Sequence, residues 1–96
     1  MGARALKLDP EQFAAIGKAL ADPKRFEMLE RIAGSVEAPT CSSICDWLGL
    51  APATISHHLH ELESAGLVSV VREGKFARIG LRRDVLAAYV KRLASL

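Results

Sequence analysis

Apolar residues recur every three or four positions in the first third of the chain, and this spacing predicts two amphipathic helices. Asp9 and Asp22 are each followed by proline, the order expected of an N-cap and a first helical residue. We expect Gly34 to end the second helix as a left-handed residue. The apolar stripes are Phe13, Ile16 and Leu20 in the first helix, and Phe26, Met28, Leu29 and Ile32 in the second.

Two further helices follow a short connector. Thr40 can cap a short helix over residues 41–48 that Gly49 ends. Pro52 then begins a fourth helix, which Gly66 closes. Its inward residues are predicted to be Ile55, Leu59 and Leu62.

The period changes after Gly66. Residues 67–72 are rich in β-branched side chains and predict a strand, residues 73–75 a tight turn, and residues 76–81 a second strand. Residues 82–96 return to a helical period. A short helix, a glycine-containing turn and a second helix make a helix-turn-helix, and the hairpin after it is a wing. The predicted fold is mainly α with a β-hairpin wing, in the order α-α-α-α-β-β-α.

The 96 residues, half of them apolar, predict one domain over residues 1–96. No apolar run approaches the roughly 20 residues that span a bilayer, and Met1–Leu8 lacks the apolar segment of a signal peptide. We therefore expect a cytoplasmic protein with reduced thiols and no membrane partner. There is no nucleophile elbow, phosphate loop or metal-ligand set, so we predict that the chain is not an enzyme.

Charge is distributed unevenly, although the net charge is only +2. Residues 33–71 contain no Lys or Arg, whereas residues 72–83 contain five basic residues and one Glu. If the chain binds a polyanion, the pattern places the basic contact in the second of these segments.

These elements carry short motifs whose order and spacing together resemble the ArsR/SmtB family of bacterial winged-helix repressors. The resemblance extends over nearly the whole chain. It rests on residues 18–25 (KALADPKR) with Met28-Leu29, on Leu48-Gly49-Leu50, on residues 55–59 (ISHHL) with Leu62, on residues 66–68 (GLV) and on residues 72–75 (REGK). It implies a homodimeric repressor that binds double-stranded DNA at a palindromic operator and leaves it when an inducer binds.

The resemblance further implies that the fourth helix lies in the major groove and that the wing contacts the backbone. The expected DNA contacts are Ala53, Thr54, Ser56, His57 and His60 on the helix, and Arg72, Lys75 and Arg78 on the wing, with Arg25 as a further phosphate contact. This helix carries no Lys or Arg, so the common Arg–guanine contact is missing there. His58 leans towards the core, where we expect a packed and hydrogen-bonded imidazole.

The first and last helices, residues 9–21 and 82–96, present more apolar surface than a lone small domain can cover. In the family these two helices form the dimer interface. The residues expected there are Phe13, Ile16, Leu20, Val85, Leu86, Tyr89, Val90 and Leu93.

Cys41 and Cys45 lie four residues apart, so both thiols share one face of the third helix. Two readings stay open, core packing and the binding of a soft metal, metalloid or oxidant. The last helix offers Asp84 but no His, so the family's zinc-type site is missing and no cofactor is certain. An alternative function for the whole domain, a winged-helix module that binds protein, follows from the Arg-free fourth helix.

Overall fold

A computed structural model, which describes residues 6–96, contains five helices and a two-stranded hairpin in the predicted order. Their bounds are α1 Pro10–Leu20, α2 Pro23–Gly34, α3 Cys41–Leu48, α4 Pro52–Ser64, β1 Val68–Glu73, β2 Phe76–Leu81 and α5 Arg83–Ala94. The predicted fold class is confirmed. Of the predicted domain over residues 1–96, residues 1–5 lie outside the described part.

The first three helices begin at the predicted caps. The carboxylates of Asp9 and Asp22 accept hydrogen bonds of 2.7–3.0 Å from backbone N–H groups of the first turn. The hydroxyl of Thr40 accepts one of 3.2 Å from the N–H of Ser43. The N-cap of α4 is Ala51, which has no side chain to cap with, so this helix begins without such a bond.

The predicted end of α2 is wrong in detail. Gly49 and Gly66 have φ angles of 64° and 80°, as expected of left-handed residues, but Gly34 remains helical and the chain leaves α2 through extended Ser35. The hydroxyl of Ser35 donates to the carbonyl of Arg31 at 2.7 Å, which satisfies a terminal carbonyl without a left-handed residue.

Every helix contributes to one core. Its largest fully buried side chains are Ile16, Met28, Ile44, Ile55, Leu62, Leu67 and Ile79. Phe26, which we assigned to the inward stripe of α2, is instead 44% exposed. The buried face of α2 runs through Met28, Leu29 and Ile32, and the side chain of Phe26 is rotated away from it. No helix within residues 6–96 is both long and apolar enough to cross a membrane.

The wing, β1 and β2 together, is an antiparallel pair in which Glu73 lies opposite Phe76. Its turn is therefore Gly74–Lys75, one residue shorter than predicted. A contact that was not predicted fixes the wing to the connector before α3. The N–H of Ile79 donates to the carbonyl of Pro39 at 2.9 Å, and Thr40 forms a β-bridge with Arg78.

Candidate nucleic-acid interface

Helices α3 and α4, joined by residues 49–51, form the helix-turn-helix. Leu50 is half-buried in this turn and packs against the core, which holds the two helices together. The core side of α4 consists of Ile55, His58, Leu59 and Leu62. The five residues of α4 that are predicted to contact DNA are all exposed and lie on its outer face, namely Ala53, Thr54, Ser56, His57 and His60. Exposed Glu63 lies on the same side of the helix.

The first turn of α4 keeps unpaired backbone N–H groups because Ala51 caps it without a side chain. The residues around it, Pro52, Ala53 and Thr54, are exposed and uncharged. Helix N-termini carry a partial positive charge and attract phosphate oxygens. The end of α4 that projects from the domain is therefore suited to a phosphate beside the base edges.

A groove separates the outer face of α4 from the wing. Ser56, His60 and the acidic Glu63 line it from the helix, and Arg72 lines it from β1. Cys41, at the start of α3, also lies along this groove. Lys75 is exposed in the turn at the tip of the wing. The structure thus places Arg72 on the side of the wing that faces α4, with Lys75 beyond it.

Arg78, the third predicted wing contact, lies on the opposite face of the hairpin from Arg72, because neighbouring pairs in a ladder alternate between faces. Its Nη1 donates to the carbonyl of Ala38 at 2.9 Å, and its Nε lies 3.5 Å from Glu73 Oε1. The side chain is 40% exposed, so it fastens the wing to the connector while part of the guanidinium stays open to solvent.

Two other arginines of the basic segment also have partners within the chain. Arg82 makes two hydrogen bonds to the Asp84 carboxylate, at 3.0 and 3.2 Å, and the pKa of Asp84 is lowered chiefly by them. Arg83 donates to the carbonyl of Ala33 at the end of α2, at 3.0 Å. Among residues 72–83, only Arg72 and Lys75 carry a cation with no ion-pair or hydrogen-bond partner in the described structure.

Arg25 does not present a free charge to DNA, contrary to the prediction. Its side chain is 11% exposed, and its Nε donates to the carbonyl of Ala19 at 2.9 Å. Its terminal nitrogens lie 3.9 Å from carboxylate oxygens of Asp22 and Glu61. The backbone N–H of Arg25, followed by the charges of His58 and of the Arg25 guanidinium, lowers the pKa of Asp22.

His58 is packed in the core as predicted and is 8% exposed. The expected hydrogen bond is wrong for one ring nitrogen: Nδ1 is buried and finds no partner among the residues that the structure describes. The i,i+3 and i,i+4 spacing to apolar neighbours revealed its burial, but a partner from another helix has no such local signal.

Cys41 and Cys45 are free thiols, both half-buried and packed against the core. No cluster of three or more His, Cys, Asp or Glu side chains arranged for a metal ion occurs within residues 6–96. Cys41 lines the groove between α4 and the wing, whereas Cys45 is not among the groove residues.

The residues predicted for a dimer interface fall into two groups. Ile16 and Val85 are 0% and 2% exposed within the single chain, so they offer no surface to a partner. The other six keep exposed surface, and we call the surface that they are predicted to offer to a second subunit the dimer face: Phe13, Leu20, Leu86, Tyr89, Val90 and Leu93. Val90 and Leu93 are 54% and 44% exposed.

An aromatic cluster joins the two helices of the dimer face. The rings of Phe13 and Tyr89 are 4.8 Å apart, and the guanidinium of Arg92 lies 4.3 Å above the Phe13 ring. Gly17 makes room for the ring of Tyr89, because a Cβ there would lie 3.3 Å from the Tyr89 hydroxyl. This cluster holds α5 against α1.

Comparison with known proteins agrees with this geometry. A family model described as a helix-turn-helix domain matches residues 20–71, which include the whole of α3 and α4. The transcriptional regulator MJ1325 of Methanocaldococcus jannaschii is 41% identical over 64 residues, 67% of this chain and 71% of its own. The transcriptional repressor SdpR of Bacillus subtilis is 33% identical over 72% of this chain and 74% of its own.

The transcriptional regulator CmtR of Mycobacterium tuberculosis is 36% identical over 77% of this chain, and the match spans only 61% of its own length. An ArsR-like transcriptional regulator from Rhodococcus superposes with a TM-score of 0.78 at 26% identity, over 88% of this chain and 78% of its own. The chain belongs to the ArsR family of winged helix-turn-helix transcriptional regulators.

A second solved structure, described as a possible ArsR-family transcriptional regulator, extends the comparison. The homodimeric winged helix-turn-helix domain of Mb0332 from Mycobacterium bovis superposes with a TM-score of 0.73 at 29% identity, over 99% of this chain and 91% of its own. Membership makes this ArsR-family regulator a DNA-binding transcription factor and not an enzyme.

Proposed function

We propose that this ArsR-family regulator is a homodimeric repressor that reads a palindromic operator, with the outer face of α4 in the major groove and the wing on the backbone. One observation carries the proposal. The outer face of α4 is exposed and carries no Lys or Arg, and it adjoins a groove that Arg72 lines from the wing. The helix thus offers methyl, hydroxyl and imidazole groups to base edges, and the neighbouring wing offers a cation to phosphates.

The division between the two elements has a measurable consequence. Because α4 has no Lys or Arg, phosphate neutralisation falls to Arg72 and Lys75. Two subunits supply four such cations, which corresponds to a slope of about −3.6 in log affinity against log salt.

The dimer face supports two-fold assembly. Val90 and Leu93 expose apolar surface on α5 that the single chain leaves uncovered. The Mb0332 domain, alike over nearly its whole length, is a homodimer. A two-fold dimer presents its two α4 helices to half-sites of opposite orientation about one DNA turn apart, which is the reason to expect a palindrome.

Repression and its release form the regulatory part of the proposal. The relative SdpR is a transcriptional repressor. Cys41 is the candidate trigger because it lines the same groove as Ser56 and Arg72. A soft metal, a metalloid or an oxidant at Cys41, with Cys45 one turn away, would then interfere with DNA directly.

The experiment that tests the function is a fluorescence-anisotropy titration of the reduced protein with duplexes enriched from a random-sequence pool. We expect saturable binding to an enriched palindrome with a negative salt slope. Absence of enrichment at low salt would contradict the proposal and favour the protein-interaction alternative. The titration is repeated with arsenite or peroxide for the wild type, Cys41→Ser and Cys45→Ser. Loss of binding in the wild type alone supports thiol release.

A further inference from the structure

Two polar side chains fasten the C-terminal half of α4 to the rest of the domain. Arg25 of α2 reaches Glu61, with 3.9 Å between Nη1 and Oε1. Gln12 of α1 donates from Nε2 to the carbonyl of Ala65, at 3.2 Å. Both contacts lie beyond the outer face of α4, on the part of the helix that does not project from the domain.

Arg25 is well placed to resist movement. Its side chain is 11% exposed, and its Nε is held at 2.9 Å by the Ala19 carbonyl at the end of α1. Asp22, which caps α2, lies on its other side at 3.9 Å. The guanidinium is therefore fixed by α1 and α2 before it meets Glu61, so the charge that attracts α4 has a defined position.

Gln12 lies against the turn that follows α4. A Cβ on Gly66 would lie 2.6 Å from the Gln12 amide nitrogen, so the amide of Gln12 rests close to the backbone of Gly66. The φ of 80° at Gly66 independently favours glycine. The side chain of Gln12 thus lies directly over the end of α4, and its amide replaces an intrahelical donor for a terminal carbonyl.

Small rotations of α4 matter because its outer face acts at a distance. Thr54 is seven residues before Glu61, about 10 Å along the helix at 1.5 Å per residue. A tilt of about 5° at Glu61 would move Thr54 by about 0.9 Å, more than the width of the 2.7–3.2 Å window for hydrogen bonds to bases. Phosphate contacts from the wing would be unaffected by such a tilt.

We propose that Arg25, Glu61 and Gln12 are positioning residues for operator recognition: they set the angle of α4 and so control sequence discrimination, without touching DNA. The inference rests on the proposed function. Simple electrostatics predicts that an acidic residue on a DNA-binding helix weakens binding by repelling phosphate. The inference instead makes Glu61 favour specific binding, because Glu61 holds α4 at the required angle.

Glu61→Gln is the decisive variant, and Glu63→Gln is its matched control. Both remove one negative charge from the same helix. Glu63 lines the groove beside Arg72, so its charge acts on any bound phosphate, but its side chain has no ion-pair or hydrogen-bond partner in the described part of the chain. We expect Glu61→Gln to lower affinity for the enriched operator by about three- to fivefold, the size typical of a partly exposed ion pair. Its affinity for a scrambled duplex should stay equal or rise. Glu63→Gln should shift both affinities equally.

Gln12→Leu is a second, independent variant that removes the donor at similar size and should lower the ratio of specific to scrambled affinity as Glu61→Gln does. Circular dichroism and thermal melts confirm that each variant is folded. An unchanged ratio in folded Glu61→Gln and Gln12→Leu would overturn the inference and leave the proposed function intact. A wild type that does not discriminate the two duplexes would overturn the proposed function, and this inference with it.

Discussion

Single methyl groups on the outer face of α4 have a specific chemical counterpart in DNA. Ala53 and Thr54 are exposed in the first turn of this helix and carry no charge. In the major groove, thymine is the base that displays a methyl group, and alanine and threonine methyls are its usual contacts.

We therefore predict that replacing thymine by deoxyuridine in the half-site weakens operator binding. One lost methyl contact corresponds to about a two- to fourfold decrease in affinity. Thr54→Ser keeps the hydroxyl and removes the methyl, so this variant should bind the thymine and uridine duplexes more equally. Equal wild-type affinity for both duplexes in an anisotropy titration would exclude the contact.

A second residue-scale prediction concerns Asp22, whose carboxylate accepts two backbone hydrogen bonds at the start of α2. Asp22→Ala removes the cap and should lower Tm by about 4–8 °C.

Because the pKa of Asp22 is below its ordinary value of 3.8 in the folded state, its ionisation stabilises the fold above that value, and this contribution disappears as the pH falls through the folded pKa. Asp22→Asn should consequently differ from wild type at pH 7 and approach it in acid, as followed by thermal melts; a constant difference would contradict this.

Residues with local partners were predictable from the sequence, and residues with distant partners were not. The caps Asp9, Asp22 and Thr40 bond within three residues, so their spacing indicates their role. The sequence predicts Arg25 as a phosphate contact because it does not reveal the partner of this side chain. That partner, Glu61, is 36 positions away, and no local pattern links the two residues. The sequence likewise predicts the burial of His58 but cannot show that its Nδ1 finds no partner among the described residues, because such a partner would come from another element.

At the scale of elements, the wing has one face that we propose contacts DNA and another that packs against the domain. Arg72 faces the groove beside α4, whereas Arg78 bonds the Ala38 carbonyl on the opposite side. The alternation of side chains along β1 and β2 accounts for the opposite positions of the two arginines. This alternation does not determine which face meets the connector. The β-bridge at Thr40 involves a single residue, and one residue leaves no alternating pattern in the sequence.

We predict that alanine substitution separates these two roles. Arg72→Ala should make the salt slope less steep by about 1.8 for a dimer, with Tm unchanged. Arg78→Ala should lower Tm because the wing loses its hydrogen bond to the connector, and should change the salt slope less. The salt dependence of operator affinity and thermal melts measure both effects. The reverse pattern would assign the phosphate contact to Arg78.

At the scale of the whole molecule, the paired helices α1 and α5 serve both the core and the dimer face. The sequence predicted the apolar stripes of both helices. It could not assign each residue of a stripe to the core or to the dimer face, because one helical stripe is wide enough to contact two neighbours. Ile16 and Val85 turn out to belong to the core, and Val90 and Leu93 remain outside it.

We predict that the double variant Val90→Glu/Leu93→Glu is monomeric in light scattering and binds a full operator far more weakly than wild type. Two buried carboxylates without partners would oppose association. Val36→Glu introduces the same change at a fully exposed position of the connector and should stay dimeric. A double variant that remains dimeric would place the interface elsewhere.

The hydrogen bond from the Ile79 N–H to the Pro39 carbonyl restrains the position of the wing relative to the helix-turn-helix. The connector that holds the wing also leads directly into α3, the first helix of the helix-turn-helix. If Lys75 and Thr54 both contact DNA as proposed, the fold of the protein constrains the spacing between the two contacts. One extra base pair between the groove positions that they meet would displace the second by about 3.4 Å and a tenth of a turn. The DNA, not the protein, would have to bend or twist to restore the match, and operators should therefore tolerate changes of base more readily than changes of length.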